Sequence, residues 1–438
     1  MRGLVPFAFI IAANVATAEI PNPVNDSDFA PLDAAQVALG QMLFYDPILS
    51  GNQNISCATC HHPKFATADG VALSLGEGGT GLGGARRANP ENMPEQRIPR
   101  NAPGLFNLGA SEFTRLFHDG RIEVDHDKPG GLRTPLGAEM TQGFANLLSA
   151  QTMFPVLSAD EMAGHYSEND VSQAVRQGRI TGPGGAWDLL SLRVANTSGY
   201  TPLIDAAFPD KGAAGRLTFT DISDAIAAFV AYEWRSTDSP FDGYLRERTG
   251  LAPQAMEGMA LFYGRAGCSA CHAGPFQTDH GFHVMGVPQF GPGKAARFES
   301  HARDLGRMRV TGRDSDAFAF RTPSLRNVTD TAPYGHTGSH ADLRAFIADH
   351  ADPLGAFDRF DRNSVVLPSL PGAEDWQHLD NPSDQANLRG AIRVKPVELS
   401  MQDVADLVAF LGTLRDPVAI QGRLGIPDAV PSGLPVDR

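Results

Sequence analysis

Apolar residues recur at helical spacing in four stretches of the chain, and these fall into two matching pairs. "QVALGQMLFY" (36–45) and "QAMEGMALFY" (254–263) carry small and apolar residues three and four apart, and both end in Leu-Phe-Tyr or its equivalent. "DISDAIAAFVAYEW" (221–234) and "SMQDVADLVAFLGTL" (400–414) follow the same period farther along, with Asp221 and Ser400 expected as N-caps. The pattern predicts a mainly α fold in which one helical unit is used twice. The turn-rich, charged stretch "RSTDSPFDGYLRERTGLAP" (235–253) reads as the connector. From Arg415 the chain is rich in Pro and Gly and is expected to wrap the surface as a tail.

Before the first helix lies "MRGLVPFAFIIAANVATAEI", with Arg2, an apolar run from Leu4 to Val15 and the small-x-small sequence Ala16-Thr17-Ala18. This is the pattern of a secretory signal peptide over 1–18, giving a mature chain from Glu19 and a periplasmic location. The alternative, a membrane anchor, needs about 20 apolar residues, and no later segment is apolar enough to span a bilayer. With 438 residues and 42% hydrophobic content, the chain can bury a large core in two or three domains. Its 36 basic and 50 acidic residues leave a net charge of −14. That balance excludes nucleic acid, which needs clustered Lys and Arg, and leaves a basic protein partner open.

The four cysteines sharpen the picture. They occur as Cys57-Ala-Thr-Cys60-His61 and Cys268-Ser-Ala-Cys271-His272, just after the two matching helices. Two disulfides or one tetrahedral zinc site would use the four sulfurs, but neither explains a His behind each pair. A c-type haem does, because both thiols add to the vinyl groups and the adjacent His becomes an axial iron ligand. Helix, haem motif, loops and closing helix make a cytochrome c-like unit, here expected over 19–245 and 246–415, with a tail over 416–438. "GEGGTG" (76–81) satisfies G-x-G-x-x-G, but no helix follows, and it reads as a flexible loop rather than a dinucleotide site.

Two haems serve either an electron carrier, with both irons six-coordinate, or a peroxide enzyme with one open iron and an acid–base group. The stretches "LGQMLFYDPILSGNQNISCATCHHP", "RNAPGLFN", "LFHDGR", "QTMFPVLSADEMAG", "DLGRMRVTG" and "FRTPSLRNVTDTAPYGHTG" bear on that choice. In these, and in their order, the chain resembles the bacterial dihaem cytochrome c peroxidase and MauG family, in its MauG- or MbnH-like branch. The resemblance implies an N-terminal haem that reacts with hydrogen peroxide and a C-terminal haem that passes or stores electrons. It implies Glu161 as the catalytic carboxylate, with Gln151 and Pro155 ten and six residues before it in the distal pocket. It also implies a calcium ion held by Asn101 and by the carbonyls of Thr331 and Pro333. The electron donor is then a small cytochrome or cupredoxin, or a side chain of a target protein.

Several positions depart from the family. The second His that closes the N-terminal iron at rest has no counterpart, since no His lies between His62 and His118 and Met93 reads as a loop residue. An open resting iron is therefore expected. The sixth ligand of the C-terminal haem falls fourteen residues after His336, where the family has Met or Tyr and this chain has His350. His350 is expected to ligate, with a surface His at a helix end as the alternative and Met308 and Met285 as other candidates. His118 stands where the family has Trp between the haems, and is either an inter-haem residue or a buried structural His. Ala266 stands where MauG has a surface Trp. The alternative function is a dihaem electron carrier without catalysis.

Overall fold

Helix α1 (Ala34–Tyr45) starts where Asp33 accepts hydrogen bonds from the backbone N–H groups of Ala35 and Gln36, at 2.8 and 3.0 Å. The computed structural model describes residues 19–140, 143–212, 216–294 and 301–438, so the leader expected at 1–18 lies outside the described residues. After α1 come α2 (Cys57–Cys60), α3 (Leu147–Thr152), α4 (Phe219–Glu233), α5 (Pro253–Phe262), α6 (Leu343–Ala351) and α7 (Met401–Gly412), with shorter helical turns between them. Ser400 caps α7 through the backbone N–H of Asp403, as expected. Asp221 does not cap α4. Thr218 does, and Asp221 sits at the third helical position, its carboxylate accepting a hydrogen bond from the backbone N–H of Thr218 at 2.8 Å. The reciprocal capping box starts the helix one turn earlier than the apolar pattern shows.

The two halves repeat one helix crossing. In the first, α1 crosses α4 at Gly40, where a Cβ would collide with the carbonyl of Ala225 and stand 2.9 Å from Phe229 Cβ. In the second, α5 crosses α7 at Gly258, where it would collide with the carbonyl of Asp406 and stand 2.9 Å from Phe410 Cβ. Phe44, Tyr45, Phe229 and Trp234 fill the first crossing, and Phe262, Tyr263, Phe241 and Phe410 fill the second. Gly40→Ala and Gly258→Ala are each expected to lower stability by about 1–3 kcal/mol through overpacking. Gly390→Ala, in a helix with open space around it, is the control and should be neutral or stabilising. Thermal unfolding checks this: equal melting temperatures for all three would show that the crossings tolerate a Cβ.

Strands are short and antiparallel. One three-stranded ribbon pairs Arg115 with Glu123 and Glu123 with Arg133, and it fills the stretch after Arg121 that carries no sequence signal. Its Glu123 meets Arg307 from the second half at 2.7 Å, both side chains nearly buried. Arg100 likewise reaches Asp304 at 2.6 Å and Asp119 at 2.7 Å. Removing one partner of such a buried pair strands a charge, which makes these contacts specific to one relative placement of the halves. The tail returns to the first half and goes deeper than the surface: Ala419 and Val430 join its core, Ser432 bonds Asp46, and Asp437 accepts from Thr59 between the two cysteines of the first motif at 2.5 Å. Among the described residues, no helix is long and apolar enough to cross a membrane.

Candidate functional site

The two Cys-x-x-Cys-His motifs adopt the same local geometry. Each forms a tight turn in which the backbone N–H of the His donates to the carbonyl of the first Cys, His61 to Cys57 at 3.0 Å and His272 to Cys268 at 2.9 Å. Each imidazole then bonds a backbone carbonyl a few residues on through Nδ1, His61 to Thr67 at 2.9 Å and His272 to Gln277 at 3.1 Å. That bond fixes the tautomer and leaves Nε2 with its lone pair free, as a metal-ligating His requires. Burial lowers the pKa of both rings, so both are neutral. All four thiols are free, and burial pushes Cys57 and Cys60 up to about 12.

Behind the second motif opens a cavity of about 450 Å³. Cys268, Cys271 and His272 stand on its wall, with Phe262, Leu343, Phe346, Leu407 and Leu411 supplying apolar surface. His350, near the end of α6, faces His272 with ring centroids 6.4 Å apart and planes inclined by 44°. An ion about 2 Å from one nitrogen of each ring needs roughly 6 Å between centroids, so the pair fits a shared metal. Burial pulls His350 down to about 3, leaving an uncharged imidazole. Met285 also lines the cavity, whereas Met308 opens a short separate helix and Met93 is exposed. Two thiols, two facing imidazoles and an apolar slot fit a covalently attached haem. Cys271 Sγ, Asp279 and His283 also cluster within 4.8 Å, but that sulfur is the one a thioether would use.

Around the first motif the distal candidates come from a different stretch. Gln151 is the penultimate residue of α3, and its Oε1 is buried without a hydrogen-bond partner among the described residues. Such a group is a standing acceptor for a ligand. Pro155 opens the next turn, and Ser158 then caps a single π-helical turn, Ala159–Ala163, by accepting from the backbone N–H of Glu161 at 3.3 Å. π-turns of this kind recur at functional sites. The Glu161 carboxylate lies close enough to Cys60 to act on it electrostatically, after burial and the opposing pull of Arg86. It does not line the cavity that Gln151 lines.

That cavity runs from the second motif past His336 and His118 to Gln151. His118 is half-buried, its Nε2 donates to the Asn101 carbonyl at 3.1 Å, and desolvation followed by Arg100 pulls it down to about 4. Asn101, Thr331 and Pro333 share the same wall. The Asn101 amide nitrogen is engaged by the carbonyls of Val71 and Ala72 at 2.8 and 3.3 Å, which leaves Oδ1 as an oxygen donor.

Three features of the site carry no sequence signal. Lys294 places Nζ 3.8 Å from Glu161 Oε1. His336 stacks on Phe320 with centroids 3.7 Å apart. "GEGGTG" is not an exposed flexible loop: Gly76 packs against the Asp160 carbonyl with no room for a Cβ, and Glu77 N–H donates to that carbonyl at 3.0 Å. The first glycine thus backs the turn that carries Glu161.

A family model described as di-haem cytochrome c peroxidase matches residues 34–250. Methylamine utilization protein MauG of Methylorubrum extorquens is 29% identical over 414 residues, covering 94% of this chain and 87% of that protein. Cytochrome c551 peroxidase of Pseudomonas aeruginosa is 29% identical and covers 75% of each chain. Among solved structures, a MauG-like protein associated with microbial copper homeostasis superposes with a TM-score of 0.56 at 26% identity, over 94% of this chain and 97% of that one. The diheme peroxidase BthA of Burkholderia thailandensis shares the fold, with a TM-score of 0.57 at 23% identity over 97% and 95%. By these matches, with the twice-used Cys-x-x-Cys-His turn at their centre, the chain belongs to the di-haem cytochrome c peroxidase and MauG family of oxidoreductases.

Proposed function

We propose that the protein is a periplasmic dihaem peroxidase that uses hydrogen peroxide as oxidant and a protein as electron donor. Residues 1–18 would be its leader, 19–245 the peroxidatic unit, 246–415 the electron-transfer unit and 416–438 the tail. The observation that supports this reading best is the cavity that holds His272 opposite His350 and extends past His118 to Gln151. It sets two imidazoles face to face in one half and reaches Gln151 in the other. When bound, the two haems supply the iron redox chemistry.

The residues then divide the work. Cys57 and Cys60, and Cys268 and Cys271, would hold the two groups covalently, and the Nδ1 bonds of His61 and His272 would leave Nε2 of each ring to bind iron. Glu161 would accept and return the proton that moves as hydrogen peroxide is reduced, H2O2 with two protons and two electrons from the protein donor giving two waters. Gln151 offers its unpaired amide oxygen to the substrate, and Pro155 sets the turn between them. Asn101 Oδ1 with the carbonyls of Thr331 and Pro333 offers the hard oxygen set that calcium takes. His118 occupies the wall between the two sites.

Cys57→Ala and Cys268→Ala each remove one of two thioethers and are expected to weaken one haem attachment apiece, read by haem stain after denaturation and by a shifted pyridine haemochrome band. Protein from a haem-competent periplasm that carries zinc or disulfides and no haem would overturn the reading. Turnover of peroxide with a reduced cytochrome c or cupredoxin separates a small redox donor from a target side chain. Two six-coordinate irons with no peroxide turnover would make the protein an electron carrier.

A further inference from the structure

Arg321 lies on the cavity wall between His118 and the second haem motif. Its backbone N–H donates to the His118 carbonyl at 2.8 Å, and its guanidinium donates to the carbonyls of Phe117 through Nε at 3.2 Å and of Thr322 through Nη1 at 3.1 Å. Nη2 makes no hydrogen bond among the described residues, and no described carboxylate pairs with the group. Its buried neighbours are all neutralised: Arg100 by Asp119 and Asp304, Arg307 by Glu123, and Arg326 by Asp242. Burial alone, with no opposing charge, pulls Arg321 down to about 10. A half-buried cation facing a cavity without an anion is costly, and it is retained where the cavity's occupant supplies the anion.

The occupant argued for above does so. A haem attached through Cys268 and Cys271 has spent its vinyl groups and keeps two propionate carboxylates. We propose that Arg321 binds a propionate of the haem attached at Cys268 and Cys271, its planar fork supplying a charge-assisted pair of N–H donors. The inference rests on the haem reading of the second motif. Guanidinium matches carboxylate bidentately, which an ammonium does not. Because Arg321 also holds the Phe117–His118 segment, the bond ties this haem to the wall that separates it from the first site. Arg321 is on this account a positioning residue that also sets the haem's potential, since a cation against the propionate disfavours the more positive oxidised form.

The test uses the holoprotein carrying R321Q or R321K, with both haems verified by haem stain. R321Q is expected to shift the midpoint potential of the low-spin haem downward in a spectroelectrochemical titration. R321K should keep most of the potential, because it keeps the charge. It should nevertheless move the propionate-bending mode in resonance Raman, because it loses the fork. An unchanged potential in R321Q with both haems attached overturns the proposal, as does a shift confined to the high-spin haem. If R321Q yields no holoprotein, an unchanged Raman mode in R321K overturns it. Absence of haem at the second motif in the wild-type protein would instead remove the reading beneath it.

Discussion

Replacing Glu161 by Gln is expected to slow the reaction of the oxidised protein with hydrogen peroxide by about 100- to 10,000-fold, the usual loss when a general acid–base group is removed. The amide keeps the volume and the hydrogen bonding of the carboxylate but cannot take up or return a proton. The backbone under it should be undisturbed, because Ser158 caps the π-turn through the Glu161 N–H and Gly76 supports it from behind, neither of which involves the side chain. Gln151→Ala removes a hydrogen-bonding group without removing proton transfer, and its effect should be much smaller. Stopped-flow mixing with peroxide, following the Soret band in variants that retain both haems, separates the two roles. Wild-type kinetics in Glu161→Gln would take the carboxylate out of the mechanism while leaving haem attachment intact. The wild-type protein should react without prior reduction, since the sequence offers no His for closing the first site at rest.

Sequence and structure agree where the signal is local. The four apolar-periodic stretches are helices within a few residues of their predicted ends, because burial of one face dictates the spacing. The cap of α4 was misplaced because Thr218 and Asp221 are both good capping residues and only the geometry shows which one precedes the first helical turn. The haem motifs are legible because their chemistry is packed into five consecutive residues. What is illegible depends on distance along the chain. Lys294 beside Glu161 and Phe320 on His336 are ordinary residues until the fold brings them together. Arg321 resembles every other arginine in the sequence, and only its place on the cavity wall without an acidic partner sets it apart. The glycines of "GEGGTG" match a phosphate-binding pattern that the lack of a following helix already argues against, and what the sequence does not show is that Gly76 packs against the Asp160 carbonyl with no room for a Cβ.

His350→Ala is expected to convert the low-spin haem to high-spin, with loss of the signal of two nitrogen axial ligands in electron paramagnetic resonance. His350 is favoured for this role by its position rather than by its count from His336. Its ring faces His272 at 6.4 Å and packs on Phe346 at 5.3 Å, and Phe346 is in turn flanked by His340 and Tyr334, so its orientation is set by packing. His340 itself is anchored through Nε2 to Asp349 at 2.9 Å, which leaves it unsuited to replace the lost ligand. Met285 is another side chain on the cavity wall able to bind iron, so a low-spin signal that persists in His350→Ala and disappears in the double variant with Met285→Ala would transfer the role to Met285. His350→Met gives the complementary reading. A thioether opposite a His raises the reduction potential relative to a second imidazole, within the roughly 0.8 V that axial ligands span. The variant should therefore stay low-spin and become easier to reduce, and a potential equal to that of the wild type would show that residue 350 does not reach the iron.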